Sequence, residues 1–294
     1  YIKNLYITGT GSYQGLFGYA GDSATIKNVV IASGSLSVGG FSGALLGWSA
    51  GADILNCGNR ASVTVGGYSG YSGGLIGTVR DSGTTGVISG CYNSGRVDGG
   101  TLDPIGGLIG HIDGRTSVTV SNCYNTGEVI GAVDEFSAVG GIIGQSQNGL
   151  TSLQNCYNAG AVTGTGAIAG QVTKPEIFSN VYYLSGTHGV GIPEEDDPAE
   201  AKTEDEMKSA AFVTGLNGAG SAYVHNQLSF NQGYPLLAWQ TAPSSDASVK
   251  QILMGEYAAE KTGNTAYRIG LPKNQWTLHG VSVTPNSARA AVSL

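Results

Sequence analysis

One nine-residue string constrains this chain more than any other feature, because it is written four times with one cysteine in each copy. "SNCYNTGEV" begins at Ser121, "QNCYNAGAV" at Gln154, "SGCYNSGRV" at Ser89, and a weaker "LNCGNRASV" at Leu55. Cys57, Cys91, Cys123 and Cys156 are therefore 34, 32 and 33 residues apart. Related strings without Cys extend the series to Leu5 in "IKNLYITG", Val29 in "IKNVVIASG" and Val181 in "FSNVYYLSG", giving spacings of 24 to 34 residues. A unit this short cannot bury its own apolar side, so its copies must stack.

The columns of the repeat say how. The anchor column holds Leu5, Val29, four Cys and Val181. Three residues earlier stand Ile2, Ile26, Ile54, Ile88, Val120, Leu153 and Phe178, all apolar. Two inward positions three apart do not fit a flat strand, whose sides alternate with period two. A bend between them restores the parity. The residue before the anchor is Asn4, Asn28, Asn56, Gly90, Asn122, Asn155 or Asn180. Asn and Gly enter the left-handed conformation at least cost, so each repeat turns a corner there. A second motif, two large apolar residues between glycines, recurs as "GLFG" at Gly15, "GALLG" at Gly43, "GGLIG" at Gly73 and Gly106, "GGIIG" at Gly140 and "GAIAG" at Gly166. Length variation between anchor and glycine box places the protruding loops there, among them Val97 to Ile105 and Val129 to Val139.

Composition excludes the helical alternatives. Gly is 49 of 294 residues and charged residues are 12%, with no helical pattern before residue 200. The expectation is an all-β chain: a right-handed parallel β-solenoid of about seven coils over residues 1–185. The hand follows from the chirality of parallel crossovers. The "GGLIG…NCYN.G.V" unit resembles the GLUG motif of bacterial secreted and cell-surface proteins, including the non-catalytic region of immunoglobulin A-cleaving metallopeptidases. The resemblance covers about residues 1–185. It implies a β-helical fold, an extracellular bacterial location and membership of a larger multidomain chain.

Four cysteines in a secreted protein usually suggest two disulfides. In-register neighbours about 4.8 Å apart fit a disulfide poorly, since it brings its Cβ atoms to about 3.8 Å. Val and Leu share the column, so the reading favours Cys57, Cys91, Cys123 and Cys156 as a buried thiol file, with disulfide and metal as the alternatives. Next after the anchors, Tyr92, Tyr124, Tyr157 and Tyr182 form a row. It either stacks over the corner or offers a platform to a glycan.

Residues 186–240 are expected to form an acidic loop, a capping helix and a closing segment. Glu194, Glu195, Asp196, Asp197 and Glu200 are candidate calcium ligands, but no Asp-x-Asp-x-Asp-Gly loop is present, and an acidic run is usually a solvated loop. Thr203 and Glu206 make a capping box for a helix over Glu204 to Leu216. Its apolar side is Met207, Ala210, Ala211, Val213 and Leu216, and Asn217-Gly218 stops it. The helix and "GYPLLAWQ", with Tyr234, Leu236 and Trp239 as packing residues, are expected to cover the exposed end of the last coil. A linker follows at 241–248, then a partial β-sandwich at 249–294 that looks like the start of an Ig-like or cadherin-like domain. That domain needs about seven strands, so the chain reads as part of something longer.

Function classes narrow by charge and motif. The net charge is −7 with no Lys/Arg cluster, which argues against nucleic acid. No apolar run reaches the length of a membrane span. HExxH and GxSxG are absent, and "GTGSYQG" at Gly9 lacks dinucleotide spacing. His111, His188, His225 and His279 are scattered. Carboxylates for glycoside chemistry could meet between coils at Asp98, Asp103, Asp113 and Glu128, with Arg80, Arg96 and Arg115 as the nearby bases of a lyase. No catalytic set emerges, and no cofactor is implied. The expectation is a non-catalytic adhesin or display scaffold whose partner is a host or matrix protein or a glycan, monomeric within a larger chain. The alternative is the accessory region of a larger secreted peptidase or polysaccharide-active enzyme.

Overall fold

The computed structural model describes residues 1–241 except 67–69, 81–82, 101–103, 134–136, 174, 194–196 and 227–229; further on it describes short backbone strands. The first 184 residues wind as a parallel β-solenoid. One coil runs from Asp53–Leu55 around Asn56 to Gly58–Asn59, then Ser62–Val65, Ser72–Gly73 and Ile76–Val79, before Thr85–Ser89 begins the next. Three sides result: an anchor face with the corner asparagines, a valine face and a box face. The valine face stacks six parallel strands from Leu5–Thr8 to Val162–Thr163, and the box face six from Phe17–Ala20 to Ala169–Val172.

The stack is six strands deep on these faces, not seven coils. The discrepancy lies at Leu5. It pairs with Gly34 on the valine face, where Ile7 sits in register with Leu36. The anchor file thus starts at Val29, next to the pair Val30 and Gly58. Asn4 misled the column because it too has positive φ, 57°. It turns a different corner, where its backbone N–H bonds Ser33 Oγ at 3.0 Å.

Packing follows the columns. Cys57, Cys91, Cys123 and Cys156 join Ile54, Ile88, Val120 and Leu153 in one buried core. The glycine boxes fill it from the opposite wall with Leu75, Ile76, Leu108, Ile109, Ile142 and Ile143. Each buried aliphatic side chain contributes about 1.5–3 kcal/mol. The glycine of "CYN.G" is forced by the stack: a Cβ on Gly127 would lie 2.0 Å from the Gly95 carbonyl oxygen.

The C-terminal region departs from expectation in three ways. The helix breaks in two: α1 at Glu204–Met207, with Thr203 and Glu206 forming the capping box, and α2 at Ala210–Asn217. Ser209 breaks it because its hydroxyl accepts from Phe212 N–H and starts a new helix. Secondly, Phe212 is buried with Met207, Val213 and Leu216, while Ala210 and Ala211 are exposed. Thirdly, the helices lie along the flank of the solenoid, where Met207, Phe212, Val213, Leu216, Tyr234 and Leu237 pack on Tyr92, Tyr124 and Tyr157.

The end is covered instead by residues 183–193 and 197–202. Tyr183, Ile192 and Ala199 join the core. Ala167 N–H and Ile168 N–H donate to the Val190 and Gly191 carbonyls at 2.8 Å, and Glu200–Lys202 pairs with Tyr182–Leu184. The last coil needs backbone acceptors for its N–H groups, which the side of a helix cannot supply. So Asp197 and Glu200 are not simply part of a solvated loop. Asp197 accepts from Gly191 N–H at 2.6 Å and Ala199 N–H at 3.0 Å, and Glu200 pairs with Lys202. Glu194, Glu195 and Asp196 lie outside the described residues.

Linker residues 242–248 also lie outside the described residues. Beyond them, Val249–Met254 pairs antiparallel with Tyr257–Ala258 and Val281–Pro285, and Glu260–Lys261 with Tyr267–Arg268. The run 288–294 is outside the described residues. Among the described residues no helix is long and apolar enough to cross a membrane.

Candidate functional site

The anchor thiols are fully buried and unpaired. Each donates to a carbonyl two residues back, from Cys123 to Ser121 at 3.1 Å and from Cys91 to Ser89 at 3.4 Å. Burial pushes the Cys57, Cys91 and Cys123 thiols well above their ordinary pKa, which makes them poor nucleophiles.

Two asparagine files flank the thiols. The corner file takes positive φ at Asn28, Asn56, Asn122, Asn155 and Asn180, between 53° and 60°. Its amides link coils toward the N-terminus, with Asn155 Nδ2 donating to Asn122 Oδ1 at 3.2 Å and Asn180 to Asn155 at 2.9 Å. At Gly90 the file lacks a side chain, and the Trp239 indole N–H donates to the Gly90 carbonyl at 2.9 Å.

The second file, Asn59, Asn93, Asn125 and Asn158, is fully buried. Asn93 Nδ2 donates to Asn125 Oδ1 at 2.9 Å, and Asn125 Nδ2 to Asn158 Oδ1 at 2.8 Å. Asn125 also donates to the Gly127 carbonyl at 2.8 Å and accepts from Gly127 N–H at 3.1 Å. All four hydrogen-bonding sites of that amide are filled. In the three boxes that begin Gly-Gly, the second glycine makes room for it: a Cβ on Gly107 would lie 2.8 Å from Asn125 Cγ.

The tyrosine row is not a glycan platform. Tyr92, Tyr124 and Tyr157 are at most 1% exposed. They stack on one another with centroids 5.2 and 5.0 Å apart, beneath the returning C-terminal segment. Tyr157 Oη donates to the Pro235 carbonyl at 2.6 Å, and Gln240 bonds the Tyr124 hydroxyl. Tyr182 is half-buried, edge-on to Phe212 at 5.0 Å. Beside the row opens a cavity of about 320 Å³ whose walls include Arg60, Thr126, Asn231 and Gln232. Arg60 Nε donates to the Tyr92 hydroxyl at 3.0 Å.

The candidate carboxylates form surface ion pairs. Arg96 bridges Asp98 and Glu128, both at 2.9 Å, and Asp113 pairs with Arg115 at 3.0 Å and Arg80 at 3.2 Å. The Arg115 guanidinium holds Asp113 down to about 2, and Arg96 holds Asp98 below the usual carboxylate range. Neither is a proton donor at neutral pH, whereas glycoside chemistry needs one carboxyl raised. Asp103 and His279 lie outside the described residues. His188 and His225 bond backbone carbonyls of Gly164 and Lys208. No metal-binding cluster occurs among the described residues.

One feature escaped the sequence reading. Outside the core, at the edge where the variable loops precede the glycine boxes, aromatic rings form a continuous strip. Tyr19 meets Trp48 at 5.5 Å, Trp48 meets Tyr13 at 5.1 Å, Tyr13 meets Phe41 at 5.3 Å, and Phe41 meets Tyr71 at 5.1 Å. Tyr71 then stacks on His111 at 4.0 Å. Tyr13 and Tyr19 are 40% and 53% exposed. Tyr13 and Phe41 hold φ of 61° and 59°, an outlier for bulky side chains. The signal was present: Tyr13, Phe41 and Tyr71 each stand two residues before a glycine box, and Tyr19 and Trp48 directly follow one. His111, buried under Tyr71, is lowered to about 4 by desolvation.

Comparison with protein-family models, with curated proteins and with solved structures found no match.

Proposed function

We propose that this chain is a non-catalytic part of an extracellular bacterial surface protein of the GLUG-repeat kind, acting in adhesion or display. The solenoid serves as a stiff spacer, and the loop edge with its aromatic strip is the binding surface. One observation carries the reading: Tyr13 and Phe41 keep left-handed backbones on a partly exposed edge. Each costs about 1–2 kcal/mol relative to a relaxed residue, and such strain gathers at ligand sites. The accessory region of a larger secreted hydrolase would use the same strip. A surface anchor or a catalytic motif, if the gene encodes one, would separate these readings.

The test replaces strain and ring together. Phe41→Gly removes both, so its unfolding midpoint should hold or rise while binding to host matrix proteins or glycans falls. Lower stability with unchanged binding would assign Phe41 to packing alone and defeat the reading. Deleting 132–137 asks whether the downstream loop shares the surface.

A further inference from the structure

We infer that the aromatic edge binds an extended, uncharged polysaccharide lying parallel to the solenoid axis, crossing the coils one sugar at a time. This deepens the surface-binding reading and rests on it. The argument begins with register. On the outer side of the box face, Tyr19 pairs with Trp48, Trp48 with Thr78, Thr78 with His111, His111 with Gln145 and Gln145 with Gln171. Tyr13, Phe41 and Tyr71 make a second file, in ring contact with one another and linked to the first through Tyr13 on Trp48 and Tyr71 on His111. Thr78 and His111, the two middle positions, are buried, His111 beneath the Tyr71 ring; the accessible edge is aromatic in its first coils and amide-bearing in its last.

Spacing selects the ligand. Successive rungs repeat at about 4.8 Å, so the six positions span roughly 24 Å. One rung is close to the length of one pyranose in an extended β-linked chain, so a sugar on one coil places its neighbour on the next. Chemistry agrees. Aromatic rings with polar tips suit a ligand with apolar C–H faces and hydroxyl rims. Tyr13 and Tyr19 supply such rings, exposed. Further on, Gln145 donates to Gln171, and the exposed Gln171 offers its amide to sugar hydroxyls.

The charged groups described beside Trp48 and His111 are Arg80, Arg115 and Asp113, which pair with one another and leave one net positive charge, so acidic polymers are the competing ligands that the test has to separate from neutral ones. The Trp48 indole N–H is fixed to the Arg80 carbonyl, which holds the ring in place before any ligand arrives.

Affinity electrophoresis of the whole chain tests this, through gels holding hydroxyethyl cellulose, arabinoxylan, glucomannan or laminarin, and in parallel alginate or polygalacturonate. At least one neutral polymer should retard the chain. Tyr19→Ala and Trp48→Ala should each weaken that retardation at least tenfold, and Trp48→Phe should keep most of it. Tyr19 is more than half exposed, so its variant reports on binding even if Trp48→Ala unfolds. Affinity for soluble oligosaccharides should climb with length to about six units, the depth of the stack, and then level. Retardation by no neutral polymer, by acidic polymers alone, or equally in Tyr19→Ala would overturn the inference. If Tyr19→Ala abolishes binding to a host protein while no polysaccharide is retained, the saccharide inference falls and the surface-binding reading stands.

Discussion

Two asparagine files run along the solenoid three residues apart, and the same amide does different work in each. In the corner file the backbone carries the function: φ is positive and the side chain is at least partly exposed. Gly90 already replaces Asn there with φ 66°. In the buried file the side chain carries it. Asn125 makes four hydrogen bonds inside the core, to two neighbouring coils and to both polar groups of Gly127. The corner file decides where the chain turns. The buried file decides which residue lies over which, since a slip of one residue would leave buried amides unpaired.

That contrast can be broken experimentally, most severely at Asn125. Asn125→Asp puts a carboxylate against the Gly127 carbonyl and Asn158 Oδ1 and removes both donors. It should cost several kcal/mol, enough to prevent cooperative folding as read by urea denaturation. Asn125→Ala leaves the four former partners unmatched and should cost about 3–4 kcal/mol. Cooperative unfolding of the Asp variant at the parental midpoint would refute the structural role of the ladder.

Gly107→Ala attacks the same ladder from the opposite wall. Its Cβ would meet the Gly141 carbonyl oxygen at 2.0 Å and Asn125 Cγ at 2.8 Å. A loss of about 1–3 kcal/mol is expected, and the cost of Gly107→Ala combined with Asn125→Ala should fall below the sum of the two, since the double variant relieves the contact with Asn125 while the clash with the Gly141 carbonyl remains. Strict additivity in a double-mutant cycle would mean that box and ladder are independent.

The corner file should be milder. Asn122→Ala should cost about 1 kcal/mol, the price of a Cβ without amide compensation in the left-handed region. Asn122→Gly should be nearly neutral, as Gly90 implies. A larger loss for Gly than for Ala would place the function in the amide and erase the distinction between the files.

Sequence made one file legible and hid the other. The left-handed corners are readable because one column holds only Asn, with Gly once in its place, a pattern few other constraints produce. The buried file was in plain view, two residues after each Cys, and strand alternation puts it inward with the thiol. It is hard to read there because an inward column is ordinarily apolar. Leu5 failed for the opposite reason, since Asn4 copies the corner's local chemistry without its partners. The aromatic strip occupies only the first coils, so columns read across the whole array diluted it. The flank position of α1 and α2 was not readable at all. Their apolar residues fit an end or a side equally well, and the choice fell to the last coil's N–H groups, which needed backbone acceptors.

The two ladders also point in opposite directions. Buried amides donate toward the C-terminal coils, from Asn59 to Asn93 and onward, while corner amides donate toward the N-terminal ones, from Asn180 to Asn155 and Asn155 to Asn122. Each file is a row of aligned amide dipoles, and side by side they oppose. An α-helix accumulates charge at its ends because its dipoles add. In this rod the two side-chain rows offset each other, so another coil brings one dipole of each sense. Their electrostatic effect at the tips therefore need not grow with the number of repeats.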